Sequence, residues 1–235
     1  MISAIKPLVR RMVDRVPSLE KLTQRSRSFS QEGEDLILAR FFGYQADGFY
    51  IDVGAHHPLR FSNTQIFYDR GWSGINIDAM PGSMAPFRVH RKRDINLETG
   101  VGDVVGTLKF HVFDEPALNT FDPDVAAQQD SGSYSLKTII DVNVTTLRDI
   151  LSKHVPTDRK IDFLSIDVEG RDLQVLESND WDRFSPRVIL AESLHSRLSE
   201  MHSDPVAKFL NDVGYEPFAK TINTIFFVHK NDDAV

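Results

Sequence analysis

The chain contains no cysteine, which excludes disulfides and thiolate metal sites. It also has no long apolar run. The longest, such as LILA, VILA and IFFV, span four residues, whereas a membrane-spanning helix needs about 20. No stretch near the N-terminus resembles the apolar centre of a signal peptide, so a cytoplasmic location is the default expectation. Internal repeats and low-complexity tracts are missing too. Glycine is scarce at a telling place. The segment GFYIDVGAHHPLRFSNT, Gly48 to Thr64, reads as a strand, a turn and a helix start, yet its turn holds one glycine, Gly54.

What is present suffices for a packed core. In 235 residues, 41% are hydrophobic and 10% aromatic, which suits one domain with a short appendage. The net charge of −7 is uneven: residues 1–30 carry +5, leaving −12 for the rest. An acidic body repels a phosphate backbone, so nucleic acid is not expected as a substrate. In the basic arm, Ile2, Ile5, Val9, Met12, Val16 and Leu19 recur at helical spacing, interleaved with Lys6, Arg10, Arg11 and Arg15. Pro7 and Pro17 bound one short helix. Two uses stay open: packing on the body or on a second subunit of an oligomer, or a weak peripheral anchor at the inner membrane face. The arm is taken as residues 1–28 and the main domain as residues 29–235.

From Ser30 onward, helical and strand patterns alternate. SQEGEDLILARFF opens with a cap-like Ser30. Strands follow at GFYIDVGA, GINID (74–78), DINLETGVGD, GTLKFHVF, IDFLSID (161–167) and RVILAES (187–193), with helices between most of them. The segment 114–134 reads as a polar loop or lid. DPVAKFLNDVGY has an aspartate cap, a first-turn proline and an exit glycine. YEPFAKT and TIFFVHK form a terminal hairpin around INT. The alternation predicts an α/β, doubly wound, mostly parallel sheet with an antiparallel C-terminal hairpin.

In such sheets ligands bind at the carboxyl ends of the strands, where the strand order reverses. The first strand ends at Asp52-Val53-Gly54. The second ends at Asp78, 24 residues beyond Gly54, where a carboxylate is placed to accept ribose hydroxyls. Dinucleotide binding uses G-x-G-x-x-G because a pyrophosphate needs close backbone approach. Here those later positions hold His56 and Leu59, with Pro58 between them. A nucleoside ligand without a pyrophosphate fits better, and S-adenosylmethionine is one. His56 and His57 are adjacent on an extended segment, point apart, and are not expected to form a metal pair.

The blocks FSQEGEDLIL, FYIDVGAHHPLRFSNT, GWSGINIDAMP, VGDVVGTLKF and IDFLSIDVEGRDLQVLES resemble, in order, those of FkbM-type methyltransferases, over about residues 29–230. The resemblance implies a class I methyltransferase (Rossmann-like) fold, S-adenosylmethionine as methyl donor, and O-methylation of a carbohydrate or glycoconjugate acceptor. It implies that Asp52 and Gly54 meet the methionine end, Asp78 the ribose, Met80 the adenine and Asp103 the adenine amino group. Asn63 would help hold the methionine carboxylate, and Gln31 would close the site from the other side.

Asp167 and Glu169 follow IDFLSID, and Glu192 and His195 follow VILAES, so all four belong at the rim of the site. Asp167, Glu169 and His195 are the expected catalytic residues, with His195 as general base. The alternative is a divalent metal held by Asp167, Glu192 and His195. Two other readings remain: a catalytically inactive scaffold of the same fold, and an NAD-type oxidoreductase, which the glycine-poor turn disfavours.

Overall fold

Two carboxylates open the first helix, α1 (Glu34–Phe41), where Glu34 and Asp35 sit in its first turn and favour its positive end. Ser30, the expected cap, accepts from the Asp35 N–H at 3.3 Å and donates to Asp35 Oδ1 at 2.9 Å, although the helix itself starts at Glu34. The computed structural model describes residues 26–193 and 197–232; most of the basic arm and His195 lie outside them.

The chain continues through β1 (Phe49–Val53), α2 (Gln65–Asp69), β2 (Ser73–Asp78), α3 (Met84–His90) and β3 (Ile95–Glu98). An excursion follows: β4 (Gly100–Val101), β5 (Gly106–Phe113), a single 3-10 turn at Pro116–Leu118, α4 (Pro123–Asp130) and β6 (Leu136–Thr145). The main alternation resumes with α5 (Leu147–His154), β7 (Phe163–Ile166), α6 (Asp172–Glu177), β8 (Val188–Glu192) and α7 (Pro205–Asp212), and ends in β9 (Tyr215–Lys220) and β10 (Thr224–His229).

Seven strands form one sheet in the order β3-β2-β1-β7-β8-β10-β9. All pairings up to β8 are parallel, and β10 runs antiparallel between β8 and β9. Every residue of β1 is buried, as expected of a strand covered on both faces. One face packs α5, α6 and α7 through Leu147, Ile150, Leu151, Val175 and Leu210. The other packs α1 and α2 through Leu38, Phe42 and Phe67 around Trp72 and Phe163. Burying a side chain such as Phe67 completely contributes about 1.5–3 kcal/mol.

The segment 114–134 is not a loop. Asp122 caps α4 by accepting from Asp124 and Val125 N–H, with Pro123 as first helical residue. β5, β6 and the short β4 form a separate three-stranded sheet in the order β4-β6-β5. Its apolar residues Phe110, Val112 and Val142 pack with Met80 and Phe121. This side sheet brings a wall up against the C-terminal edge of the main sheet.

Candidate active site

Because β1, β2, β7 and β8 are parallel neighbours, the segments after them converge on one edge. Gly54 (φ 81°) begins the turn after β1 and donates its N–H to Ile77 O at 2.9 Å. His56 occupies the left-handed region (φ 49°), where the second glycine of a glycine-rich loop would stand. Its N–H donates to Asp78 Oδ2, and the N–H of Met80 donates to Asp78 Oδ1, both at 2.9 Å. Asp78 thus joins the ends of β1 and β2, with lone pairs to spare on each oxygen.

The rest of the turn hangs on Arg91, which is fully buried. Its guanidinium donates to Tyr50 OH, Pro58 O and Ser62 Oγ at 2.9–3.0 Å and pairs with Asp94 at 3.6 Å. His57 Nδ1 accepts from the N–H groups of Leu59 and Arg60, and His56 lies 2.9 Å from Arg60 Nη1. The two histidines serve the turn.

A cavity of about 310 Å³ opens beneath this turn. Gly54, Asp78, Met80, Asp167 and Glu169 line it, with Phe110 and Phe121 contributed from the side sheet and its connection. The rings of Phe110 and Phe121 lie 4.6 Å apart. Ser83 Oγ, on a residue that lines the cavity, is buried without a partner. An apolar aromatic wall, a carboxylate with free lone pairs and a second pair of carboxylates suit a flat base, a ribose and a cationic centre. These residues fit S-adenosylmethionine.

A second cavity, of about 220 Å³, shares Asp167 and Glu169 with the first. Its lining includes Gln31, Glu32, Glu34, Asn63 and Glu192. Carboxylate oxygens of Asp167, Glu169 and Glu192 lie within 4.8 Å of one another. Burial and mutual repulsion push Glu192 and Glu169 far above the usual carboxylate range. Asp167 rises least, and it is open to the solvent of both cavities. Asp172, buried behind them, is pushed up to about 8 by desolvation and then by Asp167. The trio could share protons or hold a divalent cation.

Glu169 itself has φ 53°, an unfavourable backbone for a side chain with a Cβ. The turn is fixed from above: Thr120 Oγ1 donates to Glu169 O at 2.8 Å, and Gln129 Nε2 to Glu169 Oε2 at 3.4 Å. The segment that reads as a polar loop therefore holds this residue in place.

Of the residues expected around the donor, Gly54, Asp78 and Met80 line the first cavity. Four others lie elsewhere. Asp52 is buried below the edge and accepts from Thr64 Oγ1 at 3.1 Å; desolvation pushes its carboxyl up to about 7. Asp103 points to Arg171 at 3.7 Å and lines neither cavity. Asn63 donates to Ser165 Oγ at 3.0 Å and lines the second cavity, as does Gln31. Among the expected catalytic residues, Asp167 and Glu169 stand where the cavities meet, and His195 lies outside the described residues. Among the described residues, Glu169 completes a carboxylate trio with Asp167 and Glu192. Sequence reasoning missed Phe110, Phe121, Glu32 and Glu34; the alternation in GTLKFHVF was the one available signal for Phe110.

Sheet order, the antiparallel β10 and a cavity at the switch point between β1 and β7 define a class I methyltransferase fold. A profile of the methyltransferase FkbM domain matches residues 52–217, and the chain belongs to that family. No curated protein matches the chain. Among solved structures, it is similar to a precorrin-6y C5,15-methyltransferase from Geobacter metallireducens GS-15, with 11% identity, TM-score 0.42 and coverage of 86% of this chain and 93% of that one. It is also similar to a putative RNA methyltransferase from Pyrococcus horikoshii, with 10% identity, TM-score 0.40 and coverage of 87% and 91%.

Proposed function

We propose that the protein is an S-adenosylmethionine-dependent O-methyltransferase acting on a sugar hydroxyl of a glycan, glycolipid or glycosylated metabolite. The observation that carries this reading is the meeting of the two cavities at Asp167 and Glu169. A donor in the first and an acceptor in the second can touch there.

When bound, S-adenosylmethionine supplies an electrophilic methyl group on a sulfonium. Asp78 accepts from the ribose, Met80, Phe110 and Phe121 enclose the base, and the Gly54 turn faces the methionine end. Asp167 favours positive charge at the junction, and together with Glu169 it orients the acceptor hydroxyl, since alignment supplies much of the rate in a displacement. The hydroxyl proton passes to a carboxylate of the trio or to His195, which follows β8 in sequence.

Isothermal titration with S-adenosylmethionine and with NAD, on wild type and Asp78→Ala, tests the reading. Binding of the methyl donor alone, weakened tenfold or more in the variant, is expected; binding of NAD alone would overturn it. The carboxylate spacing favours one second reading, a divalent cation that activates the hydroxyl. Transfer abolished by EDTA and restored by magnesium would select it. The arm, residues 1–28, is proposed as a peripheral membrane contact; equal flotation of the full chain and of residues 29–235 with anionic vesicles would remove that role.

A further inference from the structure

We propose that the second cavity is the acceptor subsite and that it takes a sugar unit without an anionic group, rejecting uronic acids and sugar phosphates. This rests on the methyl-transfer reading above. The ionisable lining residues are Glu32, Glu34, Asp167, Glu169 and Glu192, and no lysine or arginine lines the cavity among the described residues. Nearby cations are engaged elsewhere. Arg60 holds Glu115 through two bonds of 3.0 Å, and Arg171 faces Asp103. A carboxylate or phosphate inserted here would meet like charge, and no lysine or arginine among the described lining residues offsets it.

Hydrogen-bond polarity points the same way. Asp167, the least shifted of the trio, accepts, and the buried Gln129 Oε1 has no donor. Such a lining calls for a ligand rich in O–H groups, which an ionised acid group does not supply. The amides of Gln31, Asn63 and Asn223 and the hydroxyl of Thr224 add groups able to match hydroxyls around a ring. Apolar contact comes from Phe61 and Leu118. The Phe61 ring is fixed by the Arg60 guanidinium 4.1 Å above it and by His56 at 6.1 Å. An aromatic platform with a polar rim matches a sugar ring, which has an apolar C–H face and a hydroxyl edge.

The experiment is saturation-transfer NMR on the full chain with S-adenosylhomocysteine, at pH 7.5, using matched methyl glycosides: glucose with glucuronic acid, and galactose with galacturonic acid. In at least one pair, the neutral member should saturate at a concentration at least tenfold lower than its acid. Glu32→Gln, which alters the second cavity and not the first, should narrow that ratio several-fold while S-adenosylhomocysteine affinity stays within threefold. An acid that binds as well as its neutral partner would overturn the proposal. So would the failure of every glycoside to bind while S-adenosylhomocysteine binds, which leaves the methyl-donor reading standing. If S-adenosylhomocysteine itself does not bind, both fall together.

Discussion

Gly54 and Asp167 lie back to back: a Cβ on Gly54 would sit 1.7 Å from the carbonyl oxygen of Asp167. The glycine that opens the turn after β1 is thus required by the neighbouring chain as well as by its own φ of 81°. Gly54→Ala should destabilise the fold by at least about 2 kcal/mol, combining left-handed strain with displacement of the β7 exit. Because that exit carries Asp167, methyl-donor affinity should also fall more than tenfold. Urea denaturation and titration calorimetry on the same variant check both.

His56 holds a left-handed conformation that glycine adopts without strain. His56→Gly should therefore leave stability within about 1 kcal/mol of wild type, strain relief offsetting the more flexible unfolded chain. His56→Val, β-branched at a positive φ, should lose about 1–2 kcal/mol. Equal loss in both variants would assign the role to the imidazole ring and its Arg60 contact.

Arg91 carries the first loop on its guanidinium, and truncation strands the Asp94 carboxylate, whose side chain is fully shielded. Arg91→Ala should cost about 3–5 kcal/mol. Arg91→Lys should recover only part of this, since an ammonium cannot reach Tyr50, Pro58 and Ser62 in the same fork. Thermal unfolding of the two variants gives the order.

Asp172 links stability to pH. Its carboxyl is pushed up to about 8 in the fold against about 3.9 in the unfolded chain. Between these values the folded state keeps a proton that the unfolded state has released. The contribution is therefore complete below about pH 4 and is lost as pH rises toward 8. Asp172→Asn, which mimics the protonated acid, should flatten this decline by about 1–3 kcal/mol between pH 5 and pH 8. A wild-type curve that rises with pH and becomes shallower in the variant would contradict the assignment.

Asp167→Asn should lower kcat by about 100-fold or more while methyl-donor affinity changes less than tenfold, because the amide keeps the shape and removes the charge and basicity. His195→Ala, measured beside it, decides where the proton goes. Loss of the acidic limb of the pH–rate profile only in that variant would assign the base to His195.

The sheet was legible because strands buried on both faces and helices with one apolar stripe carry different periods. The strand ends Asp78 and Glu192 could be read to within a residue. The candidate site was legible where a residue's place follows from the end of its own strand: Asp78, Asp167 and Glu169 line the cavities. It was illegible where long-range packing chose between partners. Nothing local says that Asp103 turns to Arg171, or that Asn63 bonds Ser165, 102 positions away.

By itself, then, the sequence determined the alternation of strands and helices and the edge on which the two cavities open. These follow from local periodicity and turn chemistry. Tertiary structure alone decided that the side sheet walls the first cavity, that α4 fixes Glu169, and that five acidic residues from distant segments surround a second cavity. Such convergence depends on the register and layering of the whole sheet, which no short stretch of chain encodes.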